Sequence, residues 1–486
     1  MAEIHSGATL TPSKVDLVAA WIGRQRWYAA KGTTARLRRL GAWRLDDPAG
    51  EVGVETLHLV DEAGPRPVVY QVPLSYRAHP LPGADAALVG TLEHSVLGRR
   101  WVYDATHDPV YAEQLLALLR GQVSAMSSTR SDTVEEGVHG EPHPHWPDEL
   151  TVTGSRVLGG EQSNTSVIIE AVAADGTPRP VIVKVFRMLA AGENPDVVLQ
   201  GALRQAGCDR VPAVVGSVTG PWVEPADNVE PTDNAAPTVV GHLAFAQEFL
   251  PGLEDAWRVA ARALAAGTDF TGPARELGAA TAQVHAALAS SLGTTKTTER
   301  TGSRIIEQMR QRYAAAVAEV PELERFGALV AAVHSAAAVA PWPAMQRIHG
   351  DYHLGQVLHS RQRGWVLLDF EGEPLRPLAE RVERDQWIRD VAGMLRSIDY
   401  AGGSWERATR GSARPWVRAT QAAFLDGYAA DGGADPRRHQ ALLTAFELDK
   451  AMYELVYEAR NRPDWIGIPL AAINRLTSTD EVEESR

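Results

Sequence analysis

The chain has 486 residues, a net charge of −13 and an isoelectric point near 5.6, which disfavours nucleic acid or an anionic membrane as its main partner because both select basic surfaces. Its single cysteine, Cys208, excludes an intramolecular disulfide and a cysteine metal cluster, and suits a reducing compartment and the role of a small buried hydrophobe. The length exceeds one hydrophobic core and predicts two or three units. Met1 to Lys14 lack a basic end followed by an apolar core, and the alanine-rich run Ala328 to Ala340 is interrupted by His334 and Ser335. The expectation is a cytoplasmic protein with a small-molecule substrate and no nucleic-acid or membrane partner.

In chain order, a helix is predicted around Val15 to Arg24, then β-rich runs at Val52 to Val60, Val68 to Leu74 and Arg99 to Tyr103, separated by Gly, Pro and Asp turns. This reads as a mostly-β N-terminal unit. Apolar residues at helical spacing predict a helix over Pro109 to Arg120, and the polar stretch Ser124 to Pro147 reads as a loose insert. Thr151 to Arg187 then reads as strand, Gly-Gly turn, strand, Asp175-Gly176 hairpin turn, and the strand Val181 to Phe186. That is the layout of a kinase small lobe. The turn from Leu158 to Ser166, with Gly160, Ser163 and Asn164, would cover phosphates with N–H groups and hydroxyls. Lys184, isolated in an apolar strand, would pair with phosphate oxygens; a strand-edge lysine facing solvent is the plainer alternative.

Protein kinases pair that lysine with a glutamate on the next helix, yet Asn194 to Arg204 contains none. Asp196 there reads as an N-terminal cap, leaving the partner of Lys184 unnamed. After a Pro-, Asp- and Asn-rich loop from Pro221 to Pro237, a strand Leu243 to Phe249 ends in Leu250-Pro251-Gly252. It suits an inter-lobe hinge, where the backbone of Gln247, Glu248 and Leu250 would meet an adenine edge; an ordinary strand exit is equally credible. From Ala256 onward the apolar period is helical, with helices predicted at Ala274 to Leu292, Arg304 to Val320, Ala328 to Val339, Trp387 to Ile398 and Pro415 to Ala430.

The chemistry is concentrated in His349-Gly350-Asp351-Tyr352-His353-Leu354-Gly355-Gln356 and, soon after, Leu367-Leu368-Asp369-Phe370-Glu371-Gly372-Glu373-Pro374. Phosphoryl transfer needs a carboxylate that aligns and deprotonates a hydroxyl, and a Mg²⁺ ion on hard oxygen ligands beside the phosphates. Asp351 fits the base. Asp369, at the end of the strand-like run Trp365 to Leu368, and Gln356, five residues after Asp351, fit the metal ligands. The alternative makes both aspartates turn residues capping neighbouring helices. His349 and His353 read as loop-bracing residues, since Gly350 and the lack of a third ligand argue against zinc, and Asp390 reads as an anchor for the loop backbone.

On the acceptor side, Phe446 to Asn461 reads as a helix with Lys450, Tyr453, Glu454, Tyr457 and Glu458 on one face. Rings and charges together suit a sugar, whose hydroxyls need polar partners and whose ring faces need aromatic platforms, and Trp465 would extend the stripe. A solvated face with ion pairs such as Lys450 with Glu454 is the even alternative.

The motifs Arg24 to Tyr28, Gly160 to Thr165, His349 to Leu358, Asp369 to Pro374, Arg389 to Asp399, and Asp449 to Glu454 through Trp465 closely resemble those of the actinobacterial maltokinases. These are relatives of the aminoglycoside phosphotransferase-like kinases. The resemblance implies an α+β, bilobal, protein-kinase-like fold with a cap at 1–105, an intermediate part and small lobe at 106–250, and a mainly helical lobe at 251–486. It further implies ATP- and Mg²⁺-dependent phosphorylation of maltose at its anomeric hydroxyl, giving maltose 1-phosphate for α-glucan synthesis from trehalose-derived maltose. Asp351 would be the base, Gln356 and Asp369 the Mg²⁺ ligands and Lys184 a phosphate contact, with Lys450, Tyr453 and Tyr457 on the disaccharide. Some members are fused to or assembled with trehalose synthase. A kinase for another sugar or an amino sugar such as glucosamine is the runner-up, because Glu454 and Glu458 could receive an ammonium group. A non-catalytic nucleotide-binding scaffold for trehalose synthase is a third reading, against which the intact Asp351, Gln356 and Asp369 argue.

Overall fold

In a computed structural model the described residues are 7–144, 146, 149–159, 163–225, 237–373, 376–432 and 434–478. The chain divides into two compact units, Met1–Val197 with Ala213–Pro251 and Val198–Pro212 with Gly252–Arg486.

The first unit is built from the β-rich runs. A seven-stranded antiparallel sheet joins β1 (Leu10–Thr11), β2 (Leu37–Leu45), β3 (Gly53–Asp61), β4 (Val68–Arg77), β5 (Leu88–His94), β6 (Gly98–Asp104) and β7 (Met126–Ser127) in the order β1-β5-β6-β4-β3-β2-β7. Helix α1 (Lys14–Ile22) begins where Ser13 accepts the N–H of Asp16, and its Leu17, Val18, Trp21 and Ile22 pack on Leu57, Leu59, Val72 and Leu74. Helix α2 (Pro109–Leu119) starts as predicted, with Asp108 capping it and proline in its first turn.

A second sheet of six strands adds β8 (His139–Pro142), β9 (Leu150–Leu158), β10 (Asn164–Ala173), β11 (Val181–Phe186), β12 (Val214–Val223) and β13 (Thr238–Glu248), ordered β8-β12-β13-β11-β10-β9. The expected insert from Ser124 is therefore not wholly loose. His139–Pro142 pairs with β12, where Gly140 lies so close to Leu118 that a Cβ would sit 1.6 Å from its carbonyl oxygen. Pro221 to Val223 likewise end β12 instead of opening a loop. Between β11 and the α3 helix (Pro195–Gln205), Arg187 is fully buried: its guanidinium reaches both oxygens of Asp104 at 2.6 and 2.7 Å, the hydroxyls of Thr165 and Thr106, and the face of Trp27. The Gln71 amide donates to the carbonyls of Phe186 and Leu243. These two side chains stitch the seven-stranded sheet to the six-stranded one.

The second unit is helical, as the change of apolar period predicts. It contains α4 (Ala256–Ala265), α5 (Thr271–Leu292), α6 (Glu299–Glu319), α7 (Gly327–Val339), α8 (Leu378–Arg381), α9 (Ile388–Thr409), α10 (Arg414–Gly432), α11 (Gln440–Asn461) and α12 (Gly467–Thr477), with a small sheet of β14 (Glu254–Asp255), β15 (Val357–Ser360) and β16 (Gly364–Leu367). Helix α12 was not read from the sequence. Its aliphatic residues Ile468, Leu470, Ala471, Ala472 and Ile473 run almost consecutively beside Pro469 and show no clear helical period. The first half of α9, from Ile388 to Asp399, is almost entirely buried except at Arg389, which marks it as the core helix of the unit. Cys208 packs on this core but is only half-buried.

Removing Arg187 strands the carboxylate of Asp104 in the interior. Arg187→Met is expected to destabilise the first unit by about 3–5 kcal/mol in urea titration, with Asp104→Asn restoring part of the loss.

Candidate active site

The loop carrying Asp351 is held from below by α9. Asp390, 1% exposed in the first turn of that helix, accepts the N–H groups of His349 at 2.8 Å and Gly350 at 2.9 Å. A third partner, His285 Nε2, lies 3.0 Å from the same carboxylate and is itself oriented by the Tyr428 hydroxyl at 2.9 Å from Nδ1. The loop turns at Gly350 with φ +85°, a conformation favouring glycine. Gly393, one turn into α9, gives the loop room: a Cβ there would lie 2.6 Å from the carbonyl oxygen of Tyr352. Asp390 thus anchors the loop backbone, the role expected of it.

His349 ties this loop to the next motif. Its Nε2 donates to the carbonyl of Leu368 at 2.8 Å, and its ring packs at a tilt of 33° against Phe370 with centroids 4.6 Å apart. His353 Nδ1 accepts the N–H of Gly355 at 3.0 Å. Both histidines brace loops, so Asp351 and Asp369 are presented by one fixed frame. Asp369 has φ +63°, in the left-handed region where a non-glycine residue is strained, and strain of this kind is a mark of functional positions. Its carboxylate accepts from the Gln356 amide at 2.9 Å and has an oxygen within 4.8 Å of a carboxylate oxygen of Glu371. Two carboxylates and an amide are a hard donor set that fits Mg²⁺. Glu371 was not assigned a role from the sequence, although it stands inside the motif.

Asp351 faces a pocket lined by Gly350, Glu373, Lys450, Tyr453, Asp449 and Arg312 among others. Lys450 Nζ lies 3.0 Å from Asp351 Oδ1, 2.8 Å from Glu373 Oε1, and 4.7 Å from the centre of the Tyr453 ring. Burial alone would raise the Asp351 carboxyl, but Lys450 foremost, with the neighbouring histidines, holds it below the ordinary carboxylate range. Burial opposes the charge on Lys450 in turn, and Glu373 and Asp351 overcome that and push its ammonium well up. Asp351 is therefore a carboxylate at neutral pH. Asp449 makes a two-point pair with Arg312 at 2.6 and 2.7 Å and lies 3.5 Å from Arg389.

Not every residue of the predicted stripe reaches this pocket. Lys450 and Tyr453 line it, but Glu454 is turned to Arg396 at 2.6 Å, and Glu458 to Arg462 and the Tyr400 hydroxyl. The i,i+4 pair of Lys450 with Glu454 is not formed. A helix face is about 100° wide, so α11 presents its successive turns to different neighbours as α9 crosses it. Tyr457 is 45% exposed under Arg462, and Trp465 is stacked on Tyr400 and flanked by Arg407 and Arg462. Trp465 lines a separate cavity. Arg312 was missed because it is one of four arginines on α6, with nothing local to single it out, and lies far in sequence from any motif.

In the first unit Lys184 is buried, opposite Ser166 in the β10–β11 ladder, and donates to Asp196 Oδ2 at 2.7 Å. The solvent-facing alternative is thereby removed. Asp196 occupies the place where a protein kinase carries glutamate, and the local cap is Asn194, whose side chain accepts the Asp196 N–H at 2.9 Å. Asn164 opens β10 with Ser163 just before it, while Gly160 lies outside the described residues. Gln247 is buried within the β13 ladder, opposite Ile182 and Val214. The Glu248 N–H donates to Ala213 and that of Phe249 to Pro180, whereas the Leu250 N–H has no partner among the described residues. Leu250 is thus the residue of this exit best able to donate to a ligand.

Residues 21–108 match the maltokinase N-terminal cap domain and residues 235–442 the phosphotransferase enzyme family. A glucosamine kinase of Streptacidiphilus jiangxiensis is 30% identical over 346 residues, 67% of this chain and 74% of the relative. The chain belongs to the phosphotransferase enzyme family. A second phosphotransferase relative, a glucosamine kinase of Mycolicibacterium smegmatis, is 27% identical over 345 residues, 67% of this chain and 80% of that one. A solved glucosamine kinase in complex with glucosamine, ADP and inorganic phosphate superimposes with a TM-score of 0.65 at 26% identity, covering 96% of this chain and 99% of that one. The fold is the α+β fold of aminoglycoside phosphotransferases and protein kinases, with a mostly-β N-terminal region and a helical C-terminal part. As a member of this family the protein is an enzyme that transfers phosphate to an alcohol. No described helix is long and apolar enough to cross a membrane.

Because Lys450 is the chief group holding the Asp351 carboxyl down, Lys450→Met raises it. The acidic limb of the kcat/KM profile, which in the wild type lies below the ordinary carboxylate range, is expected to move to higher pH by at least about one unit. An unmoved limb would remove Lys450 from this role.

Proposed function

We propose that the protein is an ATP- and Mg²⁺-dependent sugar kinase whose acceptor is maltose, phosphorylated at the anomeric hydroxyl to give maltose 1-phosphate and ADP. The observation that carries a neutral sugar is the charge pairing of the acceptor face. Asp351 and Glu373 share Lys450, Asp449 holds Arg312, Glu454 holds Arg396 and Glu458 holds Arg462. Each of these carboxylates already has a cation of the chain itself, so an ammonium on the acceptor would compete with a lysine or arginine for every one of them. A neutral hydroxyl needs only the hydrogen bonds that these groups still offer.

In this reading the Asp351 carboxylate accepts the proton of the anomeric hydroxyl as its oxygen bonds to the γ-phosphorus and the bond to the ADP oxygen breaks. Lys450 keeps Asp351 ionised and turned toward the acceptor, and Tyr453 offers a ring beside it. Mg²⁺, when held by Asp369 with Gln356 and Glu371, would neutralise charge on the phosphates. Lys184, oriented by Asp196, would meet the phosphates with Ser163 and Asn164, and Leu250 would stand at the adenine edge. Tyr457 and Trp465 stand beyond the pocket and would touch only a longer acceptor. A trehalose synthase that supplies maltose would be the corresponding partner.

The names of the relatives favour a second reading, in which the acceptor is glucosamine. Turnover of ATP with maltose, glucose, glucosamine and kanamycin, followed by ³¹P NMR, separates the two. A phosphate signal coupled to the anomeric proton of maltose is expected; glucosamine turned over faster than maltose would give the second reading. Asp351→Asn is expected to lower kcat at least about 10²-fold with ATP affinity kept, and retained turnover would remove Asp351 as base.

A further inference from the structure

The six-stranded sheet of the first unit has two unlike faces. Val181, Val183, Ala244 and Ala246 turn to one side, into the core built on α2. Side chains alternate along a strand, so Ile182, Lys184, Phe245 and Gln247 share the other side, where the ladder sets Lys184 opposite Phe245 and Ile182 opposite Gln247. Across β12 the neighbour of Gln247 is Val214, which packs with Phe245 and Phe186. Gln247 therefore lies on the face that carries Lys184 and its partner Asp196, three residues before Leu250.

Gln247 is 5% exposed, and its carboxamide is unpaired at both ends. Its Oε1 is buried without a hydrogen bond, and its Nε2 has no acceptor among the described residues. Gln71 and Gln386 also leave an oxygen unpaired, yet each donates through its nitrogen. A carboxamide beside Ile182 and Val214 with no bond at either end is costly to bury, and a ligand that pairs with it offsets that cost. The Leu250 N–H is likewise unpaired among the described residues.

We propose that Gln247 selects the base of the nucleotide, its carboxamide oxygen accepting from the 6-amino group of adenine while the Leu250 N–H donates to N1. Such a role rests on the ATP-dependent reading above and goes further, to the base. Adenine carries a donor at position 6 and a lone pair at N1, whereas guanine carries a carbonyl and an N–H there. A carboxamide turned about its last bond would meet the guanine carbonyl, but the Leu250 N–H would then face the guanine N1–H, two donors with no acceptor between them. The two groups together fit adenine and refuse guanine.

Calorimetric titration of the full chain with ATP, GTP and purine riboside 5′-triphosphate, which has hydrogen in place of the 6-amino group, tests this role. The wild type is expected to bind ATP at least about tenfold more tightly than either of the others, and Gln247→Met, of nearly the same length, to bind ATP no better than the purine riboside analogue. Equal binding of ATP and either of the others by the wild type, or a full preference for ATP over the analogue in Gln247→Met, would overturn the role of Gln247 and leave an ATP-dependent kinase in place. No binding of ATP by the wild type would remove the ATP reading and the proposal with it. Without nucleotide, thermal unfolding of Gln247→Met is expected at or above the wild-type temperature, because the side chain gives up no hydrogen bond. A clear fall would mean that the carboxamide is held within the protein, and would overturn the proposal as well.

Discussion

The carboxylate of Asp390 is the fixed point of the second unit. A loop turning at a left-handed glycine has little to hold it, because the turn leaves its N–H groups pointing inward without strand or helix partners. Asp390 receives two of them and is itself held by His285 and, through it, Tyr428. The charge is tolerable in a buried place because three donors converge on it. From that point the geometry propagates: His349 is fixed, its ring fixes Leu368 and Phe370, and Asp369 follows. One buried aspartate therefore sets the spacing of Asp351 from the carboxylates of Asp369 and Glu371.

Around this frame the ions are arranged in shared sets. Lys450 serves two acids, Asp449 serves two arginines, and Arg396 links Glu454 with Asp399. Sharing keeps each charge solvated by the protein when water is excluded, and it limits rotamer freedom at Asp351. In the first unit the same economy appears at Lys184. Aspartate is one methylene shorter than the glutamate of protein kinases, and Asn194 caps the helix in its stead, leaving the Asp196 carboxylate for the lysine.

Much of this was legible in the sequence. The two acidic motifs and their strand context pointed to the loops, the change of apolar period pointed to a β-rich part followed by a helical one, and apolar spacing from Pro109 pointed to a helix there. What was hidden depended on direction and on distance. Helical spacing placed Glu454 and Lys450 on one face, but only the crossing of α9 over α11 decides that one reaches Asp351 and the other Arg396. Arg312 on α6 and Arg396 on α9 lie far in sequence from Asp449 and Glu454, the residues they pair with on α11, and no local pattern joins them. Pairing of His139–Pro142 was hidden too, since its backbone partner lies in a strand more than seventy residues later.

The most direct test of the central claim is the turnover of Asp390→Asn compared with its binding of ATP. The substitution keeps the shape and one acceptor but leaves one of the loop N–H groups poorly held. If Asp390 positions the base, kcat falls by about 10–10²-fold while ATP affinity stays within the wild-type range. Unchanged turnover would contradict the account.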